Sequence, residues 1–221
     1  MAKKGLVVLV LVALVAGGAF AQAEFRLSAG VGGYFTSDFG GGMEASAGGY
    51  TVSVKTPSAG GGGYVFLDAT YAELSFGFFG GSGTWKYEAS LLGASGSTEQ
   101  KMSGTGLDIS LFGKYPFAAS DQLAIFPLLG ITYRVMVAAK DEDGNELDDP
   151  GDLSALWFRL GGGLDYSFTD SIYLRAGLLY GIRLANKLEN DMVDEYSGSG
   201  VDTKTLLGHG LEVKLAVGFR F

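Results

Sequence analysis

The last eleven residues of the chain alternate strictly between apolar side chains and side chains that are charged or small. The first set is Leu211, Val213, Leu215, Val217, Phe219 and Phe221, and the second is Glu212, Lys214, Ala216, Gly218 and Arg220. Successive side chains of a β-strand point to opposite faces, so the pattern predicts a strand with one apolar and one polar face. A strand that lies between lipid and a polar lumen needs this pattern, and a terminal exposed Phe221 is unusual for a soluble protein.

Seven other segments repeat the two-faced pattern, which gives eight predicted strands. Their ranges are 25–37, 61–69, 71–91, 105–115, 122–137, 155–166, 171–183 and 205–221. Such lengths suit the roughly 9–11 residues that cross a bilayer at a tilt. In the third strand the apolar face changes parity between Phe78 and Trp85, so we expect a β-bulge in the stretch 80–83 to reset the alternation.

The links between the predicted strands alternate between short and long. Short links lie near 68–71, 116–121 and 168–171, and long links cover 38–60, 92–104, 138–154 and 184–204. Short periplasmic turns and long outer loops are the layout of an outer-membrane barrel. The segment 50–56 also alternates, and it is either strand that extends above the membrane or part of a ten-stranded barrel.

The N-terminus has the features of an export signal. Lys3 and Lys4 precede an apolar run over 5–16, and small residues follow, with possible cleavage near Ala21 or Ala23. The run is shorter than the about 20 residues of a spanning helix, so a signal peptide over 1–21 is favoured over a membrane anchor. The mature barrel domain would then cover 24–221 in the outer membrane of a diderm bacterium. The chain has no cysteine, so its stability must come from packing and hydrogen bonds.

The fold class favoured by these patterns is an all-β, transmembrane, antiparallel up-and-down barrel with eight strands, and ten strands are the alternative. A soluble β-sandwich would also give alternating strands. The signal peptide, Phe221 and two groups of aromatic residues, one near each end of the strands, favour the barrel. A net charge of −8 argues against a nucleic-acid partner.

Together these features resemble the small eight-stranded outer-membrane barrels, the group that includes outer membrane proteins W and X and the transmembrane domain of protein A. The resemblance covers the whole mature chain and rests on pattern, and it is greatest for the W type. It implies that Phe219 and Phe221, in Gly218-Phe-Arg-Phe221, form the recognition signal for the barrel-assembly machinery. For the W type it implies a conduit for small hydrophobic molecules.

The sequence offers little for catalysis, so we expect no enzymatic activity and no cofactor. The hydrolytic enzymes built on small barrels usually need His beside Ser or Asp. This chain has one His, His209, and its parity with Leu207 and Leu211 turns it outward, toward lipid or the interface.

The inward faces of the predicted strands are rich in charge. The predicted lumen-lining residues are Arg26, Lys86, Glu88, Asp108, Lys114, Arg134, Arg159, Asp165, Arg175, Arg183, Glu212, Lys214 and Arg220, together with Asp68. This set has nine cations and five anions. An eight-stranded barrel is about wide enough for its side chains to fill, so we favour a salt-bridged plug. The alternative is a narrow path whose excess of cations would favour anions.

Two further features leave alternatives open. The many inward glycines let the strands coil tightly or leave a cavity. The acidic loop over 140–152 has the first spacings of a calcium site at Asp141, Asp143 and Asn145, but its Gly is one position early and no Glu is at the twelfth position. We expect a solvated loop with no dedicated metal site, and the alternative is weak bridging by a divalent ion at these residues.

Two functions remain after this reading. The first is a narrow channel or conduit for small, hydrophobic molecules, and the second is a structural or surface protein, such as an adhesin or antigen, whose barrel displays acidic loops. The expected partners are outer-membrane lipid, the barrel-assembly machinery, and either a small apolar solute or a ligand on a host surface.

Overall fold

The computed structural model describes residues 26–91, 94–186 and 201–221, and nearly all of them lie in antiparallel strands. The predicted signal peptide, Phe25 and most of the acidic segment 184–204 lie outside the described residues. The elements are β1 (Leu27–Ala47), β2 (Tyr50–Lys55), β3 (Ser58–Ala69), β4 (Ala72–Leu91), β5 (Ala94–Lys114), β6 (Phe117–Ala118), β7 (Leu123–Lys140), a 3-10 helix (Pro150–Leu153), β8 (Ala155–Ser167), β9 (Ile172–Asn186) and β10 (Asp202–Arg220).

Eight of these strands form a closed ring of backbone hydrogen bonds. The order around the ring is β1, β3, β4, β5, β7, β8, β9 and β10, and β10 pairs with β1 to close it. Every pairing is antiparallel, so the predicted up-and-down barrel is confirmed. The β-sandwich alternative is wrong, because one continuous sheet closes on itself.

The link at 38–60, which we predicted as a long loop, is instead a hairpin of two strands. β1 runs on to Ala47, and β2 returns from Tyr50 with Ala47 opposite Tyr50. Gly48 and Gly49 both have positive φ, which a tight hairpin turn requires and which glycine adopts without strain. β2 then occupies the same position as β3, between β1 and β4, so it extends the barrel and does not add a ninth position to the ring.

The link at 92–104 is also mostly strand. β4 pairs with β5 without a register shift from Ala72 opposite Gly113 to Leu91 opposite Ala94. The bulge predicted in 80–83 is therefore wrong, and the irregular positions lie at Thr105/Gly106 and Leu156/Trp157. We call this end of the barrel the hairpin end, and the end with the links at 70–71 and 168–171 the short-turn end.

The outer face of the barrel is apolar. Leu215 is 56% exposed and its neighbours Val213 and Val217 are similarly exposed, while Glu212 and Lys214 between them are buried. At the short-turn end, aromatic side chains contact one another around the rim, as in the pair Tyr115 and Phe117. An apolar band bordered by aromatic rings is the surface that a transmembrane barrel presents to lipid. No helix within the described ranges is long and apolar enough to cross a membrane.

The interior is filled by aromatic rings as well as by charge. A methyl group added at Gly30 would lie 2.4 Å from the ring of Phe66, and one at Gly218 would lie 2.2 Å from the ring of Tyr173. Phe66 and Tyr173 are almost fully buried. These inward glycines therefore make room for large rings, so the predicted alternative of a cavity is wrong at these two positions.

Candidate functional site

The centre of the charged interior is the guanidinium of Arg175 on β9. Its Nε and Nη2 donate to the two oxygens of Asp165 at 2.7 and 2.8 Å, and its Nη1 donates to Glu73 Oε2 at 2.6 Å. Asp68 lies 2.6 Å from Nη2 and is also paired with Lys114. Asp165 is directly opposite Arg175 in the ladder between β8 and β9, so the strand register itself builds the strongest pair.

A second group of charges lies nearer the hairpin end. Arg134 on β7 donates to both oxygens of Asp108 at 2.8 and 2.9 Å, and these residues are opposite each other in the ladder between β5 and β7. Asp38 lies 3.6 Å from Arg134, and the Tyr34 hydroxyl donates to Asp108 at 2.8 Å. The guanidinium of Arg134 also covers the ring of Phe79 at 3.7 Å. The group is thus both paired and tightly packed.

Glu212 on β10 belongs to a third group, which reaches the Arg175 group through Lys214. It lies 3.2 Å from Nη1 of Arg159 and 3.7 Å from Lys214, whose ammonium is 3.9 Å from Glu73. Arg159 is fully buried, yet none of its nitrogens meets hydrogen-bond geometry with any described residue. The pair with Glu212 is therefore close but poorly aligned.

The middle of the lumen has almost no free space. A cavity of about 10 Å³ lies among the buried side chains of Tyr34, Tyr64, Asp108, Glu212 and Lys214, and we call this level the midsection. That volume is about one water at most. A vestibule of about 430 Å³ opens at the short-turn end and reaches inward to Arg175. A smaller cavity of about 130 Å³ lies at the hairpin end.

The buried charges are close to balance, and three further predicted cations, Arg26, Arg183 and Arg220, line the two ends of the lumen, so the excess of cations is smaller than predicted. The buried cations are Lys114, Arg134, Arg159, Arg175 and Lys214, and the buried anions are Asp38, Asp68, Glu73, Asp108, Asp165 and Glu212. Sequence reasoning missed Asp38, because it ended the first strand at 37. It also missed Glu73, although the outward Leu74 and Phe76 already gave the neighbouring position an inward parity.

Five of the predicted lumen residues lie away from this buried core. Lys86 and Glu88 are 42% and 51% exposed in the extended hairpins, where they pair with Glu99 and Lys55. Their placement in the lumen was wrong, because it depended on the bulge that β4 does not have. The other three lie toward the ends of the barrel: Arg26 and Arg220 line the short-turn vestibule, and Arg183 lines the hairpin-end cavity.

The carboxylate of Asp141 forms hydrogen bonds within its own loop. Its Oδ1 accepts the backbone N–H groups of Asp143 and Asn145 at 3.0 and 2.8 Å, and its Oδ2 accepts the Asn145 side-chain amide at 3.1 Å. These bonds, chiefly those from Asn145, hold the pKa of Asp141 below its usual value. Within the described ranges, no three His, Cys, Asp or Glu side chains converge to hold a metal ion.

His209 and the C-terminal aromatics lie on the outer face. His209 stacks between Phe39 and Tyr180, and its Nδ1 is hydrogen-bonded to the Tyr180 hydroxyl. Phe219 and Phe221 are 49% and 85% exposed, at the short-turn end of β10. Nothing in the structure tests the predicted assembly role of these two residues, which stays a prediction.

No model of a known protein family matches the sequence, and no curated protein matches it significantly. Several solved structures have a similar fold. Outer membrane protein OprG from Pseudomonas aeruginosa is 10% identical, with a TM-score of 0.41 over 89% of this chain and 96% of that chain. The attachment invasion locus protein Ail of Yersinia pestis is 15% identical, with a TM-score of 0.39 over 90% of this chain and 100% of that chain.

The N-terminal barrel domain of OprF from Pseudomonas aeruginosa is also similar, at 15% identity and a TM-score of 0.38, over 90% of this chain and 100% of that chain. The predicted barrel fold is confirmed by the closed antiparallel ring of this chain itself. None of these likenesses transfers a function to this chain.

Proposed function

We propose that this protein is a non-enzymatic barrel of the outer membrane, exported by its N-terminal signal, with a closed lumen and with hairpins that act at the cell surface. The observation that carries the proposal is the filled midsection. Free space there is about 10 Å³, and ion pairs connect opposite sides of the ring, between Arg134 on β7 and Asp38 on β1 and between Arg175 on β9 and Glu73 on β4. A solute could pass only if several buried charge pairs separated.

The hairpin end supports the surface role. β1, β2, β4 and β5 continue beyond the midsection as paired strands, so they form a rigid platform rather than loose loops. Exposed charges such as Lys55, Lys86 and Glu88 lie on this platform. Paired strands lose less conformational entropy on binding than a flexible loop does, which suits recognition of a surface ligand.

The conduit for small apolar solutes remains the competing function, and the cavity at the hairpin end favours it. Transport would require the Arg175 and Glu212 contacts to open during passage. The near balance of charge in the buried core weakens the argument for anion preference. The barrel would insert in outer-membrane lipid through its apolar face, with Phe219 and Phe221 engaging the assembly machinery.

Two measurements test the proposal. In the first, liposomes that contain the refolded barrel should take up a labelled apolar solute no faster than protein-free liposomes, and faster uptake would favour the conduit. In the second, an antibody against residues 42–55 should bind intact cells. The matched control replaces residues 44–53 by Asn-Gly, which leaves Met43 opposite Val54 to close a shorter hairpin. Binding only after the cells are permeabilised would contradict surface display.

A further inference from the structure

The hairpin-end cavity has the lining of a ligand site. It holds about 130 Å³ inside the barrel mouth, above Arg134 and Phe79. Residues from nearly every strand around the ring contribute to its wall, so it lies across the lumen and not in a surface groove. An apolar cavity of about 150 Å³ is known to hold a single benzene molecule. The volume therefore suits one ring.

The side chains in the wall suit an aromatic guest. Both tryptophans of the chain, Trp85 and Trp157, line this one cavity. Met102 and Met136 add thioethers, which pack well against aromatic edges and adapt to shape. The sequence placed Trp85 on the lipid face, but β4 has no bulge, so Trp85 keeps the inward parity of Phe79. Aromatic and sulfur surfaces thus surround a space of ring size.

The wall also contains a buried donor with no acceptor. Trp157 is 2% exposed, and its indole Nε1 has no hydrogen-bond partner among the described residues. A buried tryptophan N–H usually has an acceptor, because a buried donor without one has lost its bond to water and gained nothing in exchange. Methyl groups built at Gly181 and Gly210 would contact Cε3 and Cζ3 of this indole, so its benzene edge faces β9 and β10. The N–H is on the opposite edge and is directed away from that wall.

The charges at the cavity are balanced. Arg134 in the floor lies beside Asp108 and Asp38. Arg183 lies at the side, 5.9 Å from the ring of Trp157, and donates to the Thr56 hydroxyl at 3.3 Å. Two cations against two anions suit a neutral guest, and a carbonyl or carboxylate oxygen near Trp157 would also have Arg183 nearby.

We propose that this cavity binds a small molecule with a single aromatic ring and a carbonyl or carboxylate oxygen. The ring lies against Trp85 and the methionines, and the oxygen accepts the N–H of Trp157 after a small rotation of the indole uncovers Nε1, which is fully covered in the free barrel. The site lies on the hairpin side of the midsection and goes beyond the proposed surface function. Ligand binding and a closed lumen are independent, so a negative result for one proposal does not contradict the other.

The test uses the refolded full barrel in lipid nanodiscs, with tryptophan emission as the signal. Because both tryptophans line the cavity, a ring dissolved in the lipid does not contact the reporters. Benzamide and benzoate should each change the emission saturably, and their relative affinities tell whether a neutral or an anionic acceptor is preferred. Toluene, which has no acceptor, should bind about fivefold more weakly, and acetamide, which has no ring, should give no saturable change.

The variant Trp157→Phe keeps a ring and removes the donor. It should bind benzamide about fivefold more weakly and leave toluene unchanged, with Trp85 as the remaining reporter. Tyr133→Phe, on the exposed outer face, is the matched control and should bind as the wild type does. A Trp157→Phe variant that binds benzamide as tightly as the wild type would overturn the proposal, as would the absence of saturable binding by every probe.

A measurement on the wild type keeps the test independent of whether the variant folds. The chain has two indole N–H groups, so its nitrogen–proton spectrum should contain two indole signals. Saturating benzamide should move one of them strongly downfield, as expected when an N–H gains an acceptor. If neither signal moves, the proposed hydrogen bond does not form.

Discussion

Replacing Arg175 by methionine should destabilise the barrel strongly. The change removes the cation that Asp165, Glu73 and Asp68 share, all within 2.6–2.8 Å of its nitrogens. Asp68 would keep Lys114, and Glu73 would keep a distant Lys214 at 3.9 Å. Asp165 would lose the cation that is opposite it in the ladder. Breaking a buried pair from one side costs about 3–5 kcal/mol, because the other charge stays buried and uncompensated.

The assay is urea unfolding of the refolded barrel in lipid vesicles, followed by tryptophan emission and by heat-modifiable migration on a gel. With a slope of about 2 kcal/mol per molar urea, the loss corresponds to a fall of about 1.5–2.5 M in the midpoint. Arg175→Lys keeps the positive charge but loses the planar guanidinium, so its urea midpoint should lie between those of the wild type and Arg175→Met.

The double variant Arg175→Met, Asp165→Asn is the control for the cause of this loss. It removes both charges of the ladder pair, so it should recover part of the stability that the single variant loses. A single variant that unfolds at the wild-type urea concentration would refute the reasoning, since Arg175 would then not hold the interior charges together.

Three further predictions follow from the packing and the loop. Gly218→Ala should cost about 1–3 kcal/mol in unfolding experiments because its methyl group would overlap the ring beside it, whereas Gly33→Ala, whose nearest neighbour is 3.6 Å away, should be close to neutral. Leu215→Arg should destabilise the barrel by about 2–4 kcal/mol if Leu215 is near the bilayer midplane, and the yield of folded barrel should fall accordingly. Leu91→Arg, at the hairpin tip, should fold normally. Equal yields from the two variants would mean that the facing of β10 is wrong. Asp141→Ala should speed amide hydrogen exchange in its own loop, because the variant cannot accept the backbone N–H bonds. In the wild type, protection of these amides from exchange should be lost only as the pH falls through the lowered pKa of Asp141, since the ionised carboxylate accepts the bonds.

The fold could be predicted from the sequence because alternation is a local signal with a fixed period. Leu215 and Glu212 reveal their faces without reference to any other strand. The extent of the strands was harder to predict. Small and polar residues between 40 and 49 look like a loop, and the pairing of β1 with β2 and with β10 shows that the backbone there continues as strand.

The candidate site was predicted in part. Arg159, Arg175 and Lys214 have inward parity in the sequence, and they lie among the buried charges. Which acid each cation contacts depends on register and on reach across strands, and a single sequence gives neither. Arg159 extends past Gly181 on β9 to Glu212 on β10, a contact that needs three strands in place. The cavity at Trp157 was missed, because the expected bulge turned Trp85 the wrong way.

The central claim is that packed side chains and balanced ion pairs close the lumen. Planar-bilayer recording with the purified, refolded barrel tests it most directly, with heat-modifiable migration as proof that the inserted protein is folded. We predict no unitary conductance in the wild type, because the midsection has room for about one water at most. A stable, reproducible conductance from folded wild-type barrel would contradict the account.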